Sequence, residues 1–361
     1  MDGHSFPRPG AAGVLTGTYR VGVLGATGAV GSTILGVLAE RDFPASEIVP
    51  FASERSVGRG IEVDDEELEV RALSEDSIRG LDLVLSSAGG AISAEWAPKL
   101  VEAGAVVVDN TSHWRMHEDV PLVVAGINPE AADAHKGIVA NPNCTTMVAM
   151  MALGPIHRAA GLQRLVVSSY QAVSGTGQKA IEELRHQSKL VLEGDERPPA
   201  AVYPHRIAFN VLPQVESFVD GDDYTTEERK VIGETRKILR LPEEVGISST
   251  CVRVPVVTGH SESVNVQTER DLSPEECREL LSNAPGLVVL DDPAEAVYPL
   301  ATDAAGRDEV FVGRIRRDPS HERCLNLWVV GDNLRKGAAT NTVQIAELLH
   351  ARDLVRVPST A

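Results

Sequence analysis

Arg20-Val21-Gly22-Val23-Leu24-Gly25-Ala26-Thr27-Gly28-Ala29-Val30-Gly31 decides how the first half of the chain folds. An apolar run that begins at about Tyr19 ends in glycines three apart, and Ser32 to Leu38 continues as an apolar-faced helix. Glycines so spaced at a strand-to-helix turn let the backbone approach a pyrophosphate and let the helix end bind it. The spacing, GxxGxxG, is a variant of the dinucleotide fingerprint. The alternative is a glycine turn that opens a parallel-sheet unit without a ligand. A second strand, about Glu47 to Ala52, leads to the position where an NAD site presents an acidic residue to the ribose diol. Here the chain reads Ser53-Glu54-Arg55-Ser56. Ser53, Arg55 and Ser56 could hold a ribose 2′-phosphate through charge-assisted hydrogen bonds, with Arg59 adding positive field, which favours NADP. Glu54 could instead face the diol of NAD.

The same grammar continues downstream. Residues from Ile61 to Leu81 read as short strands and a surface helix, and Leu81 to Ser86 and Ala105 to Asp109 as buried strands. They end in Ser87-Ala88-Gly89-Gly90 and in Asn110-Thr111-Ser112-His113-Trp114-Arg115. Polar residues at the ends of repeated strands indicate an open parallel sheet with ligands along its carboxyl edge. Asn110 and Arg115 are candidates for a substrate anion. Ala140 to Met147, ANPNCTTM, follows one more apolar run and passes into a helix, with Cys144 at the helix start. Unpaired N–H groups and the positive end of the helix dipole favour a thiolate there, so Cys144 is a candidate nucleophile; the alternative is a buried structural cysteine.

The 361 residues, 43% hydrophobic and 24% charged, suffice for two domains with separate cores. A net charge of -18 argues against general binding to nucleic acid or anionic membranes. Cys144, Cys251, Cys277 and Cys324 have no CxxC spacing, which argues against a zinc cluster or disulfide scaffold and suits a reducing cytosol. Residues 1–18 read as a loose tail without the apolar core of a secretion signal.

Beyond the cysteine helix the elements are mixed, which indicates an α+β second domain. Strands are expected at Leu165 to Tyr170, Ser249 to Val257, Ser263 to Thr268 and Cys324 to Val330, and helices at Ala180 to Leu192 and Thr226 to Leu239. The stretch 193–204 is an acidic, proline-containing excursion, and the terminal helix, Ala339 to Leu349, is expected to return to the first domain. Cys251-Val252-Arg253-Val254-Pro255-Val256-Val257-Thr258-Gly259-His260 pairs a fixed arginine, suited to a carboxylate or phosphate, with a histidine placed to be an acid or base.

The segments GATGAVG, DNTSHWR, NPNCTT, YQAVSGTG, CVRVPVVTGHS and DNLRKGAATNTVQIAE, in this order from about Tyr19 to Leu349, resemble the aspartate-β-semialdehyde dehydrogenase family. The resemblance implies a Rossmann-like parallel-sheet domain over 19–139 and 339–361, and an α+β catalytic and dimerisation domain over 140–338. It implies Cys144 as nucleophile, Gln171 as the residue orienting the intermediate and His260 as acid/base. Arg253 then binds the substrate carboxylate and Glu227 or Glu228 its ammonium, with Glu227 the better match, while Lys230, Arg115 and Asn110 take the phosphate. At NADP it implies the turn from Gly25 to Gly31, Ser53 and Arg55, with Ser174, Gly175 and Asn333. The implied reaction is reductive dephosphorylation of L-4-aspartyl phosphate, through a thioester, to L-aspartate 4-semialdehyde and inorganic phosphate, by a cytoplasmic homodimer or homotetramer without a metal. N-acetyl-γ-glutamyl-phosphate reductase and phosphorylating glyceraldehyde-3-phosphate dehydrogenase share this chemistry, and a non-catalytic nucleotide-binding protein would keep only the scaffold.

Overall fold

The computed structural model describes residues 18–64, 66–195 and 197–356. The tail expected over residues 1–18 lies, apart from Thr18, outside them. The chain forms two compact units, one built from the part up to Asn143 together with the segment from Ala338 onward, the other from Cys144 to Gly337.

The first unit contains β1 (Tyr19–Leu24), α1 (Ala29–Glu40), β2 (Ala45–Phe51), β3 (Gly60–Val63), β4 (Glu66–Glu69), β5 (Leu83–Ser86), α2 (Gly90–Glu102), β6 (Val106–Asp109) and β7 (Ile138–Ala140). Five strands form an all-parallel sheet in the order β2-β1-β5-β6-β7. All four residues of β5 and of β6 are buried, which is why these strands read as unbroken apolar runs. The terminal helix, Thr340–Ala351, belongs to this unit, with Val343, Ile345, Ala346 and Leu349 in one core with Ile34 and Leu38. The strand order reverses at β1, between β2 and β5. The turns that follow β1 and β5 thus flank the crevice where open parallel sheets bind ligands.

Residues 61–81 differ from expectation. They form the β3–β4 hairpin and a run of turns, with no helix among the described residues. Ser74 and Ser77 bond to each other and to local backbone, and Gly80 turns at φ +73°, so short polar side chains compete successfully with a helical ladder.

The second unit contains α3 (Cys144–Ala160), β8 (Leu162–Gln171), α4 (Gln178–Leu192), α5 (Thr226–Leu239), β9 (Gly246–Arg253), β10 (His260–Thr268), α6 (Pro274–Ser282), β11 (Leu287–Val289), α7 (Ala301–Ala304), β12 (Val310–Arg317) and β13 (Cys324–Gly331). Its mixed sheet runs β11-β12-β13-β10-β8-β9. Along β10, His260, Glu262, Val264 and Val266 are buried, and so are Leu165, Val167, Ser169 and Gln171 along β8. The strand expected to reach Val257 ends at Arg253. Pro255 has no N–H to give to the ladder, and Val173 and Ser174 donate instead to Val256 O and Val257 O. β11, β12 and α6 have no counterpart among the sequence expectations. β11 is three residues long, and β12 is broken by Gly313 and ends in Arg316 and Arg317.

Candidate active site

Pro142 precedes α3, which begins at Cys144 and is buried along most of its length. Cys144 Sγ lies 3.4 Å from His260 Nε2. His260 opens β10 and is fully buried, and Ala172 N–H donates to its Nδ1 at 3.1 Å. Burial first, and the Arg253 charge second, hold the imidazole well below its ordinary pKa. Arg253, the last residue of β9, is 5% exposed and donates through Nη1 to Ala172 O at 2.7 Å. Its Nε is buried without a hydrogen-bond partner among the described residues. A Cβ on Gly175 would lie 3.2 Å from Arg253 Nη1 and 3.4 Å from the His260 ring, so both side chains abut the Ser174-Gly175 turn.

A second cluster forms around Gln171, at the end of β8. Its Nε2 donates to Thr145 Oγ1 at 2.7 Å, Glu227 Oε1 at 3.1 Å and Ser169 Oγ at 3.2 Å. Lys230 Nζ lies 3.4 Å from Glu227 Oε2 and 2.5 Å from Glu216 Oε1. The Glu227 side chain is only 4% exposed, so this is no solvated surface pair. Glu228 is engaged elsewhere. It forms a capping box with Thr225 and accepts from Cys251 N–H at 2.9 Å. Of the two glutamates only Glu227 reaches Gln171. The sequence already carried that signal, because Thr-x-x-Glu at a helix start assigns the glutamate three residues after the threonine, here Glu228, to the cap.

Asn333 Nδ2 donates to Ser174 Oγ at 2.9 Å, and its Oδ1 accepts from Gly259 N–H at 2.9 Å, which ties the turn after β8 to the residue before His260. Thr145 and Ser169 carry no role in the sequence alone: Thr145 stands in NPNCTT directly after the candidate nucleophile, and Ser169 lies just outside YQAVSGTG.

In the first unit, Gly25 adopts φ +78°, and a Cβ there would lie 2.9 Å from Ser87 O, while one on Gly31 would lie 2.1 Å from Gly25 O. Gly28 caps α1 with no side-chain hydrogen bond, leaving the first N–H groups of the helix to a ligand. Thr27 is exposed and Ala29 and Val30 half-buried at this turn, and Ser53, Glu54 and Arg55 are exposed with Ser56 half-buried at a 3-10 turn. These features fit a dinucleotide pyrophosphate and ribose. Arg115 is buried, donating to Asn141 O at 3.0 Å and Asn110 O at 2.6 Å. Asn110 Oδ1 accepts from Asn141 Nδ2 at 3.0 Å and Thr342 Oγ1 at 2.8 Å. Asn341 completes this network through Asn141 Oδ1 at 2.7 Å, a role no sequence reading assigned.

The profile of the semialdehyde dehydrogenase NAD-binding domain matches residues 20–135, and that of the semialdehyde dehydrogenase dimerisation domain matches residues 153–336. An aspartate-semialdehyde dehydrogenase of Aquifex aeolicus is 55% identical over 340 residues, covering 93% of this chain and 99% of that protein. This chain belongs to the aspartate-semialdehyde dehydrogenase family. The crystal structure of aspartate-semialdehyde dehydrogenase II from Vibrio cholerae complexed with ASA matches with a TM-score of 0.89 at 45% identity, over 93% of this chain and 98% of that one. The aspartate-semialdehyde dehydrogenase of Candida albicans, solved with NADP, matches at 0.72 with 25% identity, over 93% and 99%. The family fold accounts for both sheets: the parallel one in the NAD-binding domain, the mixed one in the dimerisation domain.

Proposed function

We propose that this chain is an NADP-dependent, phosphorylating aspartate-semialdehyde dehydrogenase that converts L-4-aspartyl phosphate, through a thioester on Cys144, to L-aspartate 4-semialdehyde and inorganic phosphate. The observation that carries the proposal is the approach of Cys144 Sγ to His260 Nε2 at the N-terminus of α3, beside a buried arginine whose Nε has no hydrogen-bond partner among the described residues. The thiolate attacks the acyl carbon while N–H groups of the first helical turn, with Asn143, stabilise the oxyanion. Phosphate leaves toward Lys230, Arg115 and Asn110. Arg253 takes the α-carboxylate through its planar fork, Glu227 takes the ammonium, and Gln171 orients the carbonyl. His260 occupies the acid/base position beside the sulfur.

NADPH, when bound, supplies the hydride that reduces the thioester. Gly25, Thr27, Gly28, Ala29, Val30 and Gly31 receive its pyrophosphate, and Ser53, Arg55 and Ser56 its 2′-phosphate. Ser174, Gly175 and Asn333 serve its nicotinamide end. The Candida relative solved with NADP supports this cofactor, and the Vibrio relative solved with ASA supports the substrate. The chain works as a cytoplasmic homodimer or homotetramer, and the outer face of the mixed sheet, with Tyr170 36% exposed, suits self-association.

The test is reduction of NADP by the purified protein given L-aspartate semialdehyde, with and without inorganic phosphate. A signal that needs both supports phosphorolysis of a thioacyl enzyme. Activity only with N-acetylglutamate semialdehyde would move the chain to the N-acetylated substrate.

A further inference from the structure

The acidic, proline-containing excursion after α4 ends in a segment that side chains of α4 hold in place. Glu183 and Gln187 stand one turn apart on that helix and face the same stretch of backbone. Glu183 accepts from the N–H groups of Ala201 and Val202 at 2.8 and 2.6 Å and from that of Tyr203 at 3.4 Å. Gln187, fully buried, donates to Pro199 O at 3.0 Å and accepts from Ile207 and Ala208 N–H at 2.9 and 3.2 Å. Val202 and Tyr203 pack on the small core of Val173, Leu184 and Ile207. Farther on, Leu212 exchanges both backbone hydrogen bonds with Arg253, at 2.9 and 2.8 Å. The segment therefore meets Arg253 at two points.

The first of these points is a ring. The Arg253 guanidinium lies over Tyr203, its Cζ 5.9 Å from the ring centroid. The Tyr203 hydroxyl donates to Thr176 Oγ1 at 3.0 Å, and burial raises its pKa above the ordinary value, so it stays a neutral donor. Glu183 thus fixes the ring through its backbone, and the turn after Gly175 fixes it through its hydroxyl. Arg253 gives Nη1 to Ala172 O. An aromatic face attracts a guanidinium without consuming any N–H, whereas a carboxylate or amide at the same place would accept from the donor edge. That edge is what a substrate carboxylate needs.

We propose that Tyr203 is a positioning residue for Arg253: its ring sets the plane of the guanidinium toward the substrate carboxylate, and the excursion after α4 serves to deliver that ring. The inference rests on Arg253 binding the carboxylate of the substrate, as proposed above. Tyr203 acts through Arg253 and touches no reacting atom, so its effect belongs to substrate binding and not to the cofactor or phosphate.

The test is steady-state kinetics of the full chain with L-aspartate semialdehyde, inorganic phosphate and NADP. Tyr203→Leu should lower kcat/KM for the semialdehyde about three- to thirtyfold, chiefly through KM, with the KM values for phosphate and NADP little changed. In an Arg253→Lys background the same substitution should cost less than about twofold, because no guanidinium plane is left to set. Equal costs in the two backgrounds would make Tyr203 an ordinary packing residue and overturn the proposal. Tyr203→Phe carrying one to three ring fluorines keeps the shape of the ring while draining its negative face, and it serves where Tyr203→Leu does not fold. Within that series kcat/KM should fall with each fluorine at constant Tm, and a flat series would overturn the proposal. A wild-type protein that turns over no L-aspartate semialdehyde would defeat the substrate assignment and the carboxylate contact with it. Wild-type turnover beside a flat series defeats the role of Tyr203 alone.

Discussion

Glu227 and Glu228 are adjacent, equally charged and both buried, yet they do different work. Glu228 holds the N-terminus of α5 and the Cys251 amide, whereas Glu227 turns toward Gln171 and Thr145. Glu228→Gln weakens a capping box, so it should cost about 1 kcal/mol of stability and leave kcat/KM little changed. Glu227→Gln should do the reverse, with Tm nearly kept and kcat/KM lowered about tenfold or more by the loss of the charge proposed to meet the substrate ammonium. Thermal melts beside steady-state kinetics separate the two, and exchanged phenotypes would reassign the substrate contact to Glu228. Arg253 is argued at the same scale. Lysine supplies charge without a planar fork and cannot fill the place of both Nη1 and Nε, so Arg253→Lys should lower kcat/KM by at least about tenfold. An unchanged value would take Arg253 out of carboxylate binding.

At the scale of elements, the parts written locally were legible and the parts assembled over distance were not. The β1 turn and α1 follow from an apolar run and glycine spacing within one stretch of chain. Likewise Thr226 to Leu239 coincides with α5 because its helical period is complete in itself. Cys144 and His260 are 116 residues apart, and no period or spacing in the chain links them. Their pairing rests on chemistry, because a thiol nucleophile needs a base, and on family resemblance, and the sheet register that delivers it is visible only in the fold. The π-turn Arg335–Ala339 is another such case. It lies in a segment noticed for its resemblance, but nothing in its letters says that Gly337 is pressed against Cys144. A Cβ at Gly337 would lie 2.9 Å from Cys144 Cβ and 3.3 Å from its Cα. Gly337→Ala should therefore displace the cysteine, lowering kcat and slowing Cys144 alkylation, with an overpacking cost of about 1–3 kcal/mol. Unchanged alkylation and turnover would mean that the turn yields without moving the nucleophile.

For the molecule as a whole, the second unit places a carboxyl in its core two residues beyond His260. Glu262 is fully buried, neither of its oxygens has a hydrogen-bond partner among the described residues, and its neighbours across the sheet are Ser169 and Val329. Burial raises its pKa well above the ordinary 4.5. The native state therefore keeps a proton that the unfolded chain releases above about that value, so the contribution of Glu262 to stability falls as pH rises from there toward the native pKa. His260 has the opposite sign. Its lowered pKa contributes stability above the ordinary 6.5 that is lost as pH falls through the native value. Comparing Glu262→Gln with wild type at each pH cancels the histidine contribution. The variant should melt higher than wild type near neutral pH, and its advantage should shrink toward pH 4.5, where the unfolded glutamate is itself half protonated. Melting temperatures measured between those limits check this. A difference that does not vary with pH would mean that Glu262 is ionised in the native state and has found a partner for its charge.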